Sequence, residues 1–360
     1  MGIDKADIRN IVHWDLSNTV EEYSQQIGRA GRDGKKSRCM FYLSPSAFYL
    51  REVFARGDLP SRQSLKGLLH DIFGTARGCD VGQVFKVSHY KQARDFDIRD
   101  SPLSVIYATL ELHFGLFRAT TPEYAAYQFE AMPSYYPVMK KDGSAEAKAI
   151  FSLAVKKAKY HYIDVTAASR AHGVFNRTDI VSKLNKLNDN GHIMLQTRGI
   201  EHRYIVQKKV PQTDAEEESL VEKLYEDLKG REKDALQRGR EMMALITANK
   251  CFALSLAEHF GMGLPDGKSV CGHCTNCLTR IPVKKPTRPM VQTTAASIQA
   301  VLRATSARDD PRFLAKIGFG IRSPRISQLK LDRLPVFRSL AHHDFEVCFS
   351  RSSCSNLDVE

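Results

Sequence analysis

The sequence lacks any apolar run near the roughly 20 residues that a membrane-spanning helix needs. Its opening residues, 1–5, are not followed by the apolar stretch that marks a secretory signal peptide. We therefore expect an intracellular chain with no membrane partner. Cysteine is also scarce, with eight in 360 residues, and four of these lie between positions 251 and 277. In a reducing compartment such a cluster is more typical of a metal site than of disulfides.

Acidic residues are outnumbered by basic ones. The chain has 41 Asp and Glu against 53 Lys and Arg, which gives a net charge of +12. This surplus favours a polyanion such as nucleic acid as partner. The apolar fraction of 42% and charged fraction of 26% are ordinary for folded protein. A chain of 360 residues is long enough for two or three domains.

The hydrophobic pattern changes along the chain. Apolar runs at 8–14 and 39–43 predict buried strands around a helical stretch at 20–30. Two later stretches, 88–129 and 164–206, each show two helical patterns followed by alternating residues, and in the second we expect a hairpin that turns at 197–199. This is the order found in winged-helix modules, so we predict a mixed α/β and α+β multidomain fold.

The most specific string near the start covers residues 25–34, Gln-Gln-Ile-Gly-Arg-Ala-Gly-Arg-Asp-Gly. Arg29 and Arg32 are three apart on one side of a helical turn, and Gly28 and Gly31 allow close backbone approach. A guanidinium is planar and always charged, so it can neutralise a triphosphate during phosphoryl transfer. The alternative is a solvated basic loop, but the length of the string favours phosphate recognition.

This string resembles motif VI of superfamily 2 helicases, and Gly-Ile-Asp-Lys at 2–5 resembles the end of motif V. Together with Ser-Arg-Cys at 37–39, this sequence is similar to that of RecQ DNA helicases in particular. The resemblance implies that Arg32 is an arginine finger at the γ-phosphate. It also implies supporting roles in the nucleotide cleft for the other motif residues, which are Arg29, Gln25, Gly28, Gly31 and Asp4.

Two parts of a superfamily 2 motor have no counterpart. We find no complete phosphate loop of the Gly-Lys-Thr/Ser kind and no Asp-Glu-x-His metal pair. The resemblance therefore implies the end of the second RecA-like lobe, with ATP and Mg²⁺ bound only when the N-terminal helicase lobe is present. Alone, this chain is expected to be inactive.

A second strong pattern is Cys251 followed by Cys271, Cys274 and Cys277. Two overlapping Cys-x-x-Cys spacings and a fourth thiol complete a tetrahedral set for Zn²⁺. Four sulfur ligands leave no open position, so the zinc would be structural. The nearby His273 and His259 are competing ligands, and we expect His273 to point outward.

The cysteine segment also resembles the RecQ zinc-binding subdomain. The long insertion before it and the Arg-Asp-Asp-Pro-Arg-Phe-Leu sequence at 308–314 are closer to the divergent branch associated with Rothmund–Thomson syndrome. That resemblance is specific at 1–45 and 251–277, moderate at 305–346 and weak between.

The basic region between these motifs is the expected DNA contact. Residues 154–209 contain 11 Lys or Arg against four acids. In a helix-turn-helix, phosphate contacts position the second helix at a groove. The candidates on that helix and the following hairpin are Arg177, Lys183, Lys186, Arg198 and Arg203. A protein-contact role for a winged helix is the alternative.

The pattern divides the chain into eight segments. These are the lobe end (1–48), a helical connector (49–80), two winged-helix-like modules (81–140 and 150–210), a helical zinc-binding subdomain (214–282), a linker (283–300), a small C-terminal region (301–346) and a tail (347–360).

The expected function is that of the C-terminal part of a 3′–5′ DNA helicase, acting on forked or branched DNA in replication, recombination or repair. In a eukaryote it would be nuclear. The first rival is a motor-less, zinc-containing winged-helix DNA-binding protein, and the second is a protein-interaction module.

Overall fold

The computed structural model describes residues 5–44, 46–174, 176–285, 291 and 294–354. The chain forms two compact units. The first unit spans residues 1–69, 94–106 and 213–360, and the second spans 70–93 and 107–212. Asp4, predicted to support the nucleotide cleft, lies outside the described residues. Within the described ranges, no helix combines the length and apolar character needed to cross a bilayer.

The described residues contain seven strands: β1 (Asn10–His13), β2 (Arg38–Phe41), β3 (Val84–Val87), β4 (Phe117–Ala131), β5 (Val155–Lys157), β6 (Tyr160–Ile163) and β7 (Ile193–Val206). They also contain sixteen α-helices: α1 (Val20–Ile27), α2 (Ala47–Asp58), α3 (Arg62–Ala76), α4 (His89–Asp95), α5 (Asp100–Leu112), α6 (Tyr135–Lys141), α7 (Ala145–Leu153), α8 (Val165–Ala168), α9 (Arg177–Asp189), α10 (Asp214–Thr247), α11 (Phe252–His259), α12 (Thr275–Thr279), α13 (Ala295–Arg303), α14 (Pro311–Phe319), α15 (Pro324–Gln328) and α16 (Phe345–Cys354). The mixed α and β content predicted from the sequence is confirmed.

The first unit begins with a parallel strand pair. Ile11 of β1 lies opposite Cys39 of β2, and α1 connects the two strands. Helix α1 begins where the Thr19 hydroxyl accepts a hydrogen bond from the Glu22 backbone at 3.0 Å. The strand, helix, strand order predicted for residues 8–43 is therefore confirmed. The predicted burial of the two strands is wrong, because Cys39 and Met40 of β2 are exposed and of β1 only His13 is buried.

The α1 helix is held by a core drawn from distant parts of the chain. Its buried side chains, Val20 and Tyr23, share one cluster with Met242 and Ile246 at the end of α10. The 34-residue α10 begins at a capping box in which the Thr213 hydroxyl accepts from the Glu216 backbone. The last turns of α10 therefore pack on α1.

A second core of the first unit lies near the C-terminus. Phe313 and Phe319 of α14 pack with Ile298 of α13 and with Phe345 and Cys348 of α16. The compact region is therefore wider than the predicted 301–346, because helices assigned to the linker and tail supply buried side chains.

One buried ion pair ties this C-terminal region to the rest of the first unit. The Arg312 guanidinium on α14 donates to Glu232 of α10, and both side chains are less than 10% exposed. Arg312 also donates to the Leu59 carbonyl at 3.2 Å. Because a buried charge without its partner is costly, this pair fixes the register between α14 and α10.

The second unit is built on one antiparallel sheet with the order β3-β7-β4-β6-β5. Strands β4 and β7 form a long ribbon that runs from Phe117 opposite Val206 to Ala131 opposite Ile193. The segments predicted as two separate winged-helix-like modules, 81–140 and 150–210, thus contribute to the same sheet.

The predicted hairpin within residues 193–206 is wrong. Instead of turning at 197–199, the chain continues as the single strand β7, and its partner is β4. Gly199 has φ +65° and faces Ala125, close to a register shift between Thr120 and Glu123. A glycine inside a strand marks such an irregularity as readily as a turn.

The ribbon bears two cores on opposite faces at its two ends. Near β3, Tyr204 is buried against Phe117 and Phe85, with ring centroids 5.1 and 5.6 Å away. Near β6, Phe129 and Ile193 of the other face are buried under α7 and α9. The sheet therefore leaves one face open where β7, β4, β6 and β5 lie side by side.

Candidate nucleotide, zinc and DNA sites

The Gly-Arg loop, residues 28–34, directly follows α1. The Gly31 N–H donates to the Ile8 carbonyl at 3.0 Å, which fastens the loop to the segment entering β1. Gly31 has φ +65°, and a Cβ there would come within 2.8 Å of a backbone oxygen, so the position requires glycine. The Arg9 guanidinium donates to Asp33 at 2.9 Å and lowers the pKa of that carboxyl.

The two motif arginines have different surroundings on this loop. Arg29 is half-buried and lines an open groove of 560 Å³ along β1, together with Gln26 and Trp14. Arg32 is exposed, as is Gln25 on α1. The loop therefore presents Arg32 outward while Arg29 is held against the groove wall.

Gln26 is a groove residue that the sequence did not single out. Its amide donates to Glu22 at 2.9 Å and accepts from the Ser17 hydroxyl at 2.8 Å. The family resemblance pointed to the neighbouring Gln25. A glutamate four residues earlier on the same helix face was the available signal for Gln26.

The four cysteines predicted as metal ligands come together in the structure. Their Sγ atoms all lie within 4.8 Å of one another, and no His, Asp or Glu of the described residues joins this group. Cys251 precedes α11 and Cys274 precedes α12, while Cys271 and Cys277 supply the other two sulfurs. Cys251 is buried and the other three are half-buried.

The donor set fits a structural zinc ion. Four sulfurs at about 2.3 Å from zinc lie roughly 3.8 Å apart, and the Sγ atoms of Cys271 and Cys277 are 3.9 Å apart. Backbone N–H groups point at the sulfurs: Cys271 donates to Cys251 at 3.2 Å, and Phe252 donates to Cys274 at 3.4 Å. Such bonds orient thiolate ligands.

Protonation in the cluster is uneven. Burial raises the pKa of Cys271 to about 11. Burial also acts on Cys274, but there the backbone N–H groups of Cys277 and Phe252 outweigh it and lower the pKa to about 6. The thiol of Cys274 is therefore more acidic than that of Cys271, and binding of a metal ion by both would release protons.

The two histidines near the cluster are engaged elsewhere. The imidazole of His273 is exposed and hydrogen-bonds the Cys271 carbonyl at 2.8 Å. His259, at the end of α11, hydrogen-bonds Glu21 of α1 at 2.7 Å. That contact is the largest cause of the lowered pKa of Glu21, which falls to about 2.

Helix α11, which directly follows Cys251, shares one core with α1. Phe252, next to Cys251, packs edge-on against Tyr23 of α1 with ring centroids 5.7 Å apart. Together with the bond between His259 and Glu21, this joins α11 to α1 at both of its ends. The helix that follows Cys251 therefore packs directly on the helix that leads into the Gly-Arg loop.

One tripeptide of the phosphate-loop kind does occur, Gly-Lys-Ser at 267–269. It follows a 3₁₀ turn over Pro265–Gly267 in the segment before Cys271. A phosphate loop has another glycine five residues before this one, at position 262, and lies between a strand and a helix. Position 262 is Met, so the tripeptide forms no phosphate cradle.

Two of the five predicted DNA contacts are engaged with acidic side chains. Arg177 lies 3.3 Å from Glu123, its guanidinium also donates to the Tyr124 carbonyl, and Lys183 donates to Asp142. These pairs brace α9 against neighbouring segments of the second unit.

The other three predicted contacts differ in exposure. Arg203 is half-buried. Burial raises the pKa of Glu123, but the hydrogen bond from Lys86 and the nearby positive charges, including that of Arg203, together lower it. Lys186 on α9 and Arg198 on β7 are exposed. Exposure therefore favours Lys186 and Arg198 as phosphate contacts.

Curated proteins similar to this chain are RecQ-family ATP-dependent DNA helicases. The chain is 26% identical over 212 residues to the ATP-dependent DNA helicase Q-like 5 of Arabidopsis thaliana, covering 58% of this chain and 23% of the relative. It is 53% identical over 91 residues to the ATP-dependent helicase wrn-1 of Caenorhabditis elegans, covering 24% and 9%.

A third relative is bacterial. The chain is 50% identical over 52 residues to the probable ATP-dependent DNA helicase RecS of Bacillus subtilis, covering 14% of this chain and 10% of the relative. No protein-family model matches the chain. The chain spans less than a quarter of the length of these relatives.

Proposed function

We propose that this chain is the C-terminal part of a RecQ-type 3′–5′ DNA helicase, of the Rothmund–Thomson branch. In the whole protein, ATP hydrolysis would drive unwinding of forked or branched DNA in replication, recombination or repair, in the nucleus of a eukaryote. The main support is that α1, which leads into the Gly-Arg loop, shares a core with α11 beside the four-cysteine cluster.

The Gly-Arg loop would contribute positive charge next to the phosphates of ATP and would not itself form the ATP-binding pocket. In this proposal the N-terminal helicase lobe holds ATP and Mg²⁺, and Arg32 reaches the γ-phosphate from its exposed position. Arg29, in the groove wall beside Gln26, supports the position of the loop. Alone, the chain is proposed to be inactive towards ATP.

The four cysteines hold zinc as a structural ion in this proposal. A closed site with four sulfur ligands leaves no position for water or substrate. Zinc bound by all four residues would fix α11, and α11 packs on α1. The metal therefore stabilises the element that positions the motif arginines.

The second unit is proposed to hold the DNA as a winged-helix-like body. Lys186 and Arg198, both exposed, would contact phosphates directly. Arg177 and Lys183 would position α9 through their acidic partners, and Arg203 would contribute to the same electrostatic field.

A chimera tests the helicase proposal. The part of the Arabidopsis relative that precedes the aligned segment would be joined to the start of this chain. DNA-stimulated ATP hydrolysis and strand separation by the chimera would then be measured. We expect Arg32→Ala to lower kcat about a thousandfold or more, while Lys36→Ala, an exposed neighbour, leaves it unchanged.

The outcomes separate the proposal from its rival. Activity in the chimera that does not depend on Arg32 would contradict the assigned finger. A chimera without ATPase activity, combined with tight binding of forked DNA by this chain, would instead support the motor-less DNA-binding protein.

A further inference from the structure

The sheet of the second unit has one packed face. Phe129, His161, Ile163 and Ile193 point into the core under α7 and α9, and each is less than 10% exposed. When only one face of an antiparallel sheet packs on a core, the other face is in water and is normally polar. Here that other face carries exposed apolar and aromatic side chains.

The open face crosses four strands and is defined here by Val155, Lys157, Tyr162, Met194, Arg198 and Ile200. Strand pairing places Val155 opposite Tyr162, and Gln128 between Tyr162 and Gln196. The exposed fractions are 56% for Val155, 52% for Met194, 49% for Ile200 and 38% for Tyr162. Apolar groups exposed together on one face mark a binding surface.

Side-chain contacts confirm that these residues share a face. The Gln128 amide donates to Gln196 at 2.7 Å across β4 and β7. The Lys157 Nζ lies 5.9 Å from the centre of the Tyr162 ring. Four adjacent strands thus form one continuous surface.

The charge of this face is positive. Glu130, its acidic residue on β4, forms an ion pair with Lys159 at 3.2 Å. Lys157 is exposed on β5 and Arg198 is exposed on β7, at opposite sides of the surface. Because Lys159 neutralises Glu130, the charge of the face comes from Lys157 and Arg198. Two separated positive charges of this kind can bind successive phosphates of a nucleic-acid backbone.

We propose that the open face binds single-stranded DNA, with a base stacked on Tyr162 and the backbone held by Lys157 and Arg198. The proposal rests on the proposed function and deepens it, because Arg198, already proposed as a phosphate contact, lies on this face, whereas Lys186 lies on α9. Aromatic rings stack on any base, and cations follow the backbone.

The dimensions fit a short single strand. Four strands spaced about 4.8 Å apart span roughly 14 Å. Open four-stranded sheets with exposed aromatic side chains stack about two or three bases over such a width. Val155 and Met194 lie on the same face and offer apolar support to bases on either side of Tyr162.

The test is fluorescence anisotropy of the full chain with a labelled 15-nucleotide oligo(dT). We expect Tyr162→Ala to weaken binding about tenfold, and Tyr162→Phe to retain it because the ring remains. Lys157→Glu, which leaves the stacking ring in place, should weaken binding and reduce its salt dependence. Tyr90→Ala is the control, since Tyr90 is an exposed tyrosine on α4.

Each outcome decides between readings. If the parent binds forked duplex DNA but neither Tyr162→Ala nor Lys157→Glu changes oligo(dT) affinity, the open face is not a DNA surface and the proposed function stands. If the parent binds no DNA at all, the proposed function fails with it. If Tyr162→Ala converts a dimer to a monomer by light scattering without affecting oligo(dT), a second copy covers this face and the proposal is overturned.

Discussion

The two units of this chain achieve stability by different means. The first unit brings distant segments together at points of specific chemistry: four cysteine sulfurs, a buried ion pair and a core shared by α1 and α10. The second unit relies on one continuous sheet whose two ends carry separate apolar cores. We therefore expect the first unit to depend on a metal and on a buried ion pair, whereas the second should depend mainly on the packing of its sheet and helices.

The largest expected effect is removal of zinc. Structural zinc contributes on the order of 10 kcal/mol of apparent binding free energy near neutral pH. Cys274→Ser should therefore abolish stoichiometric zinc, measured by mass spectrometry, and unfold the first unit while the second keeps its structure. Cys39→Ser is the matched control, because Cys39 is exposed on β2. A fully folded, zinc-free Cys274→Ser protein would contradict this account.

The buried ion pair should come next. Arg312→Ala leaves the buried Glu232 carboxylate with Arg56 at 3.3 Å and also removes the hydrogen bonds from Arg312 to the carbonyls of Leu59 and Arg56. We therefore expect about 3–5 kcal/mol less stability, confined to the first unit. Denaturant titration measures it. Arg303→Ala, at an exposed arginine of α13, should have little effect. An Arg312→Ala loss no larger than that of Arg303→Ala would show that the pair does not hold α14.

A core substitution should affect the second unit alone. Leu184 of α9 is fully buried, so Leu184→Ala should cost about 2–5 kcal/mol. Faster hydrogen exchange in β4 and β7, with zinc content unchanged, is the expected signature. Loss of zinc in this variant would mean that the two units do not differ as described.

The smallest effect is a pH dependence of the second unit. Burial, and secondarily His202, lowers the pKa of His89 to about 3, whereas an unfolded histidine titrates near 6.5. The unfolded state therefore binds an extra proton between these values, and stability falls as pH drops from 6.5 towards 3. His89→Gln should flatten that decline in stability, measured as hydrogen-exchange protection factors of β3 and β7. His113→Gln, at an exposed position, should not.

Local patterns made much of the first unit predictable. The clustering of the four cysteines was predicted by their spacing, because two overlapping Cys-x-x-Cys steps hold three thiols close together along the chain. The Gly-Arg loop was identified by its string, yet the groove position of Gln26 depends on helix phase and on Ser17, which only the fold brings near. The contact of Phe252 with Tyr23 joins residues over 200 positions apart and has no local signal.

The second unit was less predictable, since its sheet depends on pairing between distant strands. The second helical pattern expected within 164–206 corresponds to α9, whose start has a local signal because Asn176 and Asp179 form a capping box. The turn expected at Gly199 does not occur, since β7 pairs throughout with β4 rather than folding back. The stack of His89 on His202, with ring centroids 3.6 Å apart, likewise depends on pairing of β3 with β7.

Hydrogen exchange of the full chain with and without a strong zinc chelator tests most directly whether the cysteine cluster supports the Gly-Arg loop. We expect chelation to accelerate exchange in α1, α11 and the Gly-Arg loop, while β4 and β7 of the second unit remain protected. If α1 and the loop stay protected when the metal is gone, the cysteine cluster does not support the motif arginines, and the proposed link between zinc and the helicase motif is wrong.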